Sequence, residues 1–295
     1  MSKLPNCGFI GLGAMGAPMA GHLAQAGCLG PVWNRTKAVA ATFAGQHGVQ
    51  HSKNCDDLAV SAEVIFICVS ADRDLLAVVE SIRPALQAGQ TVVDTSTVSP
   101  ATARQVARQL KERDVAFADA PVSGGVEGAR RGTLSVMVGA EPQVFERISP
   151  ILACFASQTH HLGPVGAGQA AKAVNQVMVA GIAEAVCEGL ALAEKAALPQ
   201  RELLQVLTSG AANSWFLEHR GETMLENQFS VGFKSSLLLK DLLIIQELAR
   251  ELDIKLEITD QAVKDYRKLV DMGHGDDDTS SLIWLKRGRD DQKSK

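Results

Sequence analysis

A chain of 295 residues, 46% of them apolar, can bury a sizeable core in one or two domains, and a net charge of −4 with both signs mixed leaves no basic stripe for a nucleic-acid backbone. No apolar run approaches the roughly 20 residues of a membrane-spanning helix, and Met1-Ser2-Lys3-Leu4-Pro5 lacks a signal-peptide layout, so a cytoplasmic location is expected. The six cysteines (Cys7, Cys28, Cys55, Cys68, Cys154, Cys187) are scattered, without a Cys-x-x-Cys pair, and His160 and His161 would face opposite sides of an extended segment, so reduced thiols and no metal site are expected.

Up to residue 163, short β-branched runs alternate with helical patterns, which predicts an α/β, Rossmann-type doubly wound parallel sheet. The predicted strands are Cys7 to Gly11, Val32 to Asn34, Val64 to Val69, Thr91 to Thr95, Ala116 to Asp119 and Ser135 to Gly139; Ser99 before Pro100 predicts a capped helix to Arg113. From residue 164 strand patterns vanish. A helix from Gly168 to Ala197, about 45 Å long, leads into an all-helical domain with further helices over Gln200 to Ser209, Phe216 to Asn227, Ser236 to Leu252 and Glu257 to Met272. The expected division is thus 1–163 and 164–295, with Lys286 to Lys295 as a charged tail that is disordered or a solvated end.

Gly11-Leu12-Gly13-Ala14-Met15-Gly16 follows an apolar strand and opens a helical pattern from Met15 to Ala26, the context in which a G-x-G-x-x-G sequence reads as a dinucleotide site. The helix N-terminus would face the pyrophosphate. About 20 residues on, where an NAD site usually carries a carboxylate for the ribose, stand Asn34, Arg35 and Thr36, followed by Lys37. Arg35 can bond a 2′-phosphate and stack on adenine, and two cations at a helix start are otherwise poorly placed, so NADP is the expected cofactor and NAD the second choice.

Two strand ends then carry hydroxyls: Asp94-Thr95-Ser96-Thr97-Val98-Ser99 and Asp119-Ala120-Pro121-Val122-Ser123-Gly124-Gly125. The carboxyl edge of an open α/β sheet is where ligands bind, and Ser123 beside the N–H groups of Gly124 and Gly125 would make a cradle for a carboxylate. Lys172 is the only ionisable residue between Pro164 and Glu184, with Asn175 at i+3 and Gln176 at i+4 on its face. A lysine in such an apolar helix must snorkel to water or sit in a cleft, and burial lowers a lysine pKa towards the range useful for general acid/base work.

Phe9 to Gly16, Asp119 to Gly125, Gly132 to Gly139, Gly168 to Gln176, and Phe233 with Lys240-Asp241 together resemble the β-hydroxyacid dehydrogenase family, over nearly the whole chain. The resemblance implies hydride transfer between the nicotinamide cofactor and a small β-hydroxyacid or its semialdehyde, as in 3-hydroxyisobutyrate dehydrogenase, or reduction of glyoxylate, succinic semialdehyde or tartronate semialdehyde. It implies that Lys172 is the catalytic acid/base, that Ser123, Gly124 and Gly125 hold the substrate carboxylate, and that Gln176 or Asn175 orients the hydroxyl. It further implies that Val69, Ser70 and Thr97 pack near the nicotinamide, that Lys240 closes over the cofactor, and that the chain forms homodimers or homotetramers. An imine reductase would commonly lack the lysine. A 6-phosphogluconate dehydrogenase would have a longer helical region. A non-catalytic dinucleotide-binding module, the reading from another class, has no use for Lys172 and Ser123.

Overall fold

The computed structural model describes residues 4–230 and 232–288. They form two compact units, one ending at Lys172 and one beginning at Ala173.

In the first unit eight strands, β1 (Cys7–Ile10), β2 (Leu29–Trp33), β3 (Val64–Ile67), β4 (Thr91–Asp94), β5 (Ala116–Asp119), β6 (Val122–Ser123), β7 (Leu134–Gly139) and β8 (Ala156–Gly163), make one sheet. Its order is β2-β1-β3-β4-β5-β7-β6, with β8 also paired to β7. The first five strands are parallel. Val32 also pairs in parallel with His51, so the segment at 50–52 lies as a rudimentary strand outside β2.

Seven helices, α1 (Gly16–Gln25), α2 (Lys37–His47), α3 (Cys55–Ser61), α4 (Asp72–Ile82), α5 (Pro100–Lys111), α6 (Gly125–Arg131) and α7 (Pro142–Leu152), alternate with these strands. The period-2 alternation of a strand sends neighbours to opposite faces. Phe9 and Phe66 accordingly enter one core with Met19, Leu23 and Phe43, whereas Ile10, Ile65 and Ile67 enter the other with Leu75, Val79 and Val106. Both faces of the sheet are therefore covered, as in a doubly wound fold. Ser99 caps α5 by accepting from Thr102 N.

Two sequence expectations need correction here. The far side of the sheet is not parallel, because β7 runs antiparallel to β5 and to β6. The strands β6 and β8 carry no signal: β6 is two residues long, and β8 is an edge strand of mostly exposed polar residues with no apolar alternation. The compact units meet between Lys172 and Ala173, because the segment that follows β8 is hydrogen-bonded back to the sheet, as described below.

α8 (Ala167–Lys195) runs from the first unit into the second, which adds α9 (Gln200–Ser209), α10 (Trp215–Leu225), α11 (Ser235–Glu251), α12 (Glu257–Leu269) and α13 (Ile283–Lys286). Contrary to the sequence expectation, α8 is long and apolar enough, by length and composition, to cross a membrane, with a mean hydropathy of 1.5 over its most apolar window. Its Ala180, Ala183, Cys187 and Leu190 instead lie in a core with Leu238, Leu242, Tyr266 and Leu282.

The expected solvated tail is corrected over its first two residues. Lys286 is the last residue of α13 and pairs with Glu184, Glu188 and Asp265, while buried Arg287 is bound by Glu194 and donates to Asn227 Oδ1 at 2.7 Å. The rest of that expectation, residues 289–295, lies outside the described residues.

Candidate functional site

The dinucleotide loop is built by close backbone approach. Gly11 has φ +97°, and a Cβ there would lie 2.1 Å from the Cys68 carbonyl oxygen; a Cβ on Gly16 would lie 1.9 Å from the Gly11 oxygen. Only glycine fits either position. A Cβ on Gly13, by contrast, would meet nothing within 4 Å, so this residue faces open space at the start of α1. Met15, at the N-cap of α1, makes no side-chain capping bond, although in the first turn Ala17 N already donates to the Gly13 carbonyl at 3.0 Å and Pro18 has no N–H. The loop thus has the shape and polarity that a pyrophosphate requires, and a nicotinamide dinucleotide would be held there.

Asn34 follows β2 and ties this loop in place: Leu12 N donates to its Oδ1 at 2.9 Å, and its Nδ2 donates to the Thr36 carbonyl at 3.2 Å. Arg35 is 87% exposed along its side chain and reaches only Asp74, in the first turn of α4, at 3.5 Å. Thr36 is exposed and makes no capping bond to α2.

The ends of β3 and β4 are cross-tied. Val69 N donates to Ser96 Oγ at 2.8 Å, Thr95 Oγ1 donates to the Ile67 carbonyl at 2.9 Å, and Ser96 N donates to Asp94 Oδ1 at 3.0 Å. Val69 and Ser70 sit on one strand end and half-buried Thr97 on the next, at the same carboxyl edge as Gly11 to Gly16. Ser123 ends β6 and is half-buried; Gly124 (φ +125°) and Gly125 (φ +62°) turn the chain into α6 and are exposed.

Lys172 is positioned by residues that the sequence reading did not single out. Asp119, at the end of β5, accepts from Gly166 N at 2.7 Å through Oδ1 and from Gln169 N at 2.8 Å through Oδ2, so a buried carboxylate from a distant strand caps α8. Burial pushes the Asp119 carboxyl up to about 6, against the backbone N–H groups of Gly166, Gln169 and Gly168, which favour the ionised form. Gln169, 1% exposed, then spans the end of β4: Val98 N donates to its Oε1 at 3.1 Å and its Nε2 donates to the Ser96 carbonyl at 2.8 Å. These two bonds flank Thr97. Lys172 lies three residues further along α8, nearly one turn, and is 8% exposed. A buried carboxylate and a buried amide therefore fix the register of the helix that carries the lysine.

The remaining expected residues belong to the helical unit and form a set of their own. Gln176, 2% exposed, donates through Nε2 to Asp241 Oδ2 at 2.7 Å and accepts at Oε1 from Asn175 Nδ2 at 2.8 Å. Lys240 Nζ lies 2.9 Å from the other oxygen of Asp241. The two amides are thus linked to each other, and Asp241 links Gln176 to Lys240. Asp241, present in the sequence reading only as the neighbour of Lys240 in the family pattern, lies on the buried face of α11, where it is 3% exposed beside Leu238, Leu242 and Ile245. Among the described residues no group of three or more His, Cys, Asp or Glu side chains could hold a metal ion.

Comparison with known proteins finds matches in both units. Residues 6–163 match the family model for the NAD binding domain of 6-phosphogluconate dehydrogenase, and residues 166–285 match the model described as NAD-binding of NADP-dependent 3-hydroxyisobutyrate dehydrogenase. The 2-hydroxy-3-oxopropionate reductase of Escherichia coli is 36% identical over 94% of this chain and 95% of its own length. The 2-(hydroxymethyl)glutarate dehydrogenase of Eubacterium barkeri is 33% identical over 96% and 95%. The structure of 3-hydroxyisobutyrate dehydrogenase from Mycobacterium tuberculosis with L-serine superposes with a TM-score of 0.89 at 30% identity, covering 96% of this chain and 99% of that one. Matched in both units and along almost its whole length, the chain belongs to the β-hydroxyacid dehydrogenase family, enzymes that act on hydroxyl groups with a nicotinamide dinucleotide.

Proposed function

We propose that the protein interconverts a small β-hydroxyacid and its semialdehyde with NADP(H), and that Lys172 is the proton donor and acceptor. The observation that carries this reading is the double anchoring of α8 by Asp119 and Gln169, which holds a buried lysine one turn from the hydroxyl-bearing end of β4. A lysine needed only for solubility would not be fixed in this way.

When bound, the dinucleotide supplies or accepts the hydride. The chain's own residues do the rest. Ser123 and the turn at Gly124 and Gly125 receive the substrate carboxylate, so that molecules carrying an acid group one carbon removed from the reacting centre are oriented. In reduction, Lys172 Nζ gives its proton to the carbonyl oxygen as that oxygen gains charge; in oxidation, Nζ takes the hydroxyl proton. Asn175 and Gln176, a linked amide pair on the same helix, orient the hydroxyl. Thr97, Val69 and Ser70 line the nicotinamide end. The absence of a carboxylate at Asn34, Arg35 and Thr36 supports NADP over NAD, because no negative group there would repel a 2′-phosphate.

The test is Lys172→Ala, assayed with 3-hydroxyisobutyrate, L-serine, tartronate semialdehyde, succinic semialdehyde and glyoxylate against both cofactors. Turnover on the preferred substrate should fall about 10³-fold or more while dinucleotide affinity is retained, the loss expected of a general acid/base. Unchanged turnover would sink the assignment, and a tenfold preference of the wild-type protein for NADH would overturn the choice of NADP.

A further inference from the structure

Three of the six cysteines meet in one place. Cys7 opens β1, Cys28 lies just before β2, and Cys154 lies between α7 and β8, yet all three belong to the core on the α1 face of the sheet. Topology brings them there. Parallel pairing of β1 with β2 sets Cys7 beside Cys28, whose carbonyl accepts from Cys7 N at 2.8 Å, and the chain leaving α7 packs onto that pair. The thiols of Cys7 and Cys154 are both within hydrogen-bonding reach of the Cys28 sulfur. Access increases across the cluster: Cys7 is fully buried, Cys28 is 4% exposed and Cys154 is half-buried. All three are free thiols, and they do not form a metal-binding group.

Each of these thiols also has a backbone carbonyl in reach: Pro5 at 3.4 Å from Cys7 Sγ, Leu23 at 3.4 Å from Cys28 Sγ and Pro150 at 3.8 Å from Cys154 Sγ. An S–H rotates about its C–S bond, so Cys7 and Cys154 can turn theirs from these carbonyls to a negative charge on Cys28. Hydrogen bonding from Cys7, with help from Cys154, brings the Cys28 thiol down to about 7 against its burial, while burial and the neighbouring Cys28 push Cys154 up to about 11. The charge of the cluster therefore settles on Cys28, and the thiolate is the reactive form of a cysteine. Cys68 makes the contrast. It too is half-buried and is pushed up to about 11 by burial, but its side chain bonds to Thr95 rather than to another thiol.

We propose that Cys28 and Cys154 form a reversible disulfide when the protein meets a peroxide, a redox modification site at the end of β1 that lies away from Gly11. The Cys28 thiolate attacks one peroxide oxygen; the O–O bond breaks, hydroxide leaves, and Cys28 becomes a sulfenic acid. Cys154 gives its proton to that hydroxide and its sulfur attacks Cys28 Sγ, so that the S–S bond forms and the S–O bond breaks with loss of a second hydroxide. The two sulfurs lose two electrons and the peroxide gains them, becoming two waters once the proton released by Cys28 is counted. A dithiol reverses the step by exchange through a mixed disulfide at Cys154, the sulfur that solvent reaches. Cys7, sealed in the core, remains a thiol.

The experiment treats the full-length protein at neutral pH with one equivalent of hydrogen peroxide, removes the excess with catalase, unfolds the chain in an alkylating reagent and maps the cysteines by peptide mass spectrometry. A peptide pair linked through Cys28 and Cys154 should appear, and should vanish after dithiothreitol. It should form at least about tenfold faster than Cys68 is oxidised, because the larger thiolate fraction of Cys28 outweighs the lower nucleophilicity of a low-pKa thiolate. Cys154→Ser, at a partly exposed position where a thermal melt verifies the fold, should abolish the link. The proposal is overturned if no link forms, if the link joins Cys7 to Cys28 or one chain to another, if it persists in Cys154→Ser, or if Cys68 is oxidised as fast as the cluster.

Discussion

The two units reach their polar order by different routes. In the first unit the candidate ligand residues of the sheet sit where a strand stops: Gly11 after β1, Asn34 after β2, Val69 after β3, Thr97 after β4, with Ser123 closing β6. A parallel sheet puts all its strand ends of one kind on one edge, so residues far apart in sequence converge without individual specification. In the helical unit the buried polar groups converge by packing instead. Asp278, 1% exposed, accepts from Gly232 N, Phe233 N, Ser280 N and Ser280 Oγ and from Arg220 Nε at 3.2 Å, across as many as 58 positions of sequence. Topology collects a site in one unit; individual hydrogen bonds hold the other together.

Substitution should separate the two. The largest effect is expected from Gly16→Ala, which drives a methyl into the Gly11 carbonyl, a backbone atom that cannot turn aside. Stability should fall by roughly 3 kcal/mol and dinucleotide binding should be lost altogether, because the same displacement moves the phosphate loop. Denaturant titration and equilibrium binding check both. A variant that keeps wild-type affinity would show that the tight loop is not what the ligand uses.

Next in size is Asp278→Ala, the counterpart in the helical unit. It strands several buried donors and the Arg220 guanidinium at once, and should cost about 3 kcal/mol. Hydrogen exchange should show amide protection falling from Arg220 to Leu282 while the β1 to β5 amides are unchanged. Equal loss in both units would mean that the contrast drawn above is wrong.

The same contrast explains how much could be read from the sequence. The five parallel strands, the glycine loop and the long helix announce themselves through local signals: short continuous apolar runs at the strands, glycines at a strand-to-helix turn, or an apolar stretch interrupted by one lysine. Strand β8 gives no such signal, since Ser157, Gln158, His160 and His161 are exposed on an edge and need no apolar partner. The anchors of Lys172 were invisible for another reason. Asp119 and Gln169 lie inside recognised motifs, but what they do depends on partners 47 to 73 residues away. Arg287 looked like part of a charged tail until Glu194, 93 residues back, was seen to hold it.

The smallest expected effect concerns Asp119, which belongs to the first unit yet holds α8 by individual hydrogen bonds. Its carboxyl titrates near 6 in the folded chain, raised by burial, against 3.8 for an ordinary aspartate. Between those values the folded state holds the proton more tightly than the unfolded one, so this group makes stability fall as pH rises from about 4 to about 6, and below about 4 the penalty is absent. Asp72, whose burial is outweighed by hydrogen bonds from Ser99 and Thr102, is held below 3.8, so its contribution has the opposite sign, rising with pH at the low end of that window and complete by about pH 5, and it is common to wild type and variant. Asp119→Asn removes the titration while keeping the volume. The urea midpoint of wild type should therefore decline across pH 4 to 6 more steeply than that of the variant, and the two profiles should run parallel above pH 7. Identical slopes throughout would mean that Asp119 is ionised across the whole range, so that the N–H groups of Gly166 and Gln169 outweigh its burial and α8 is capped by a full negative charge.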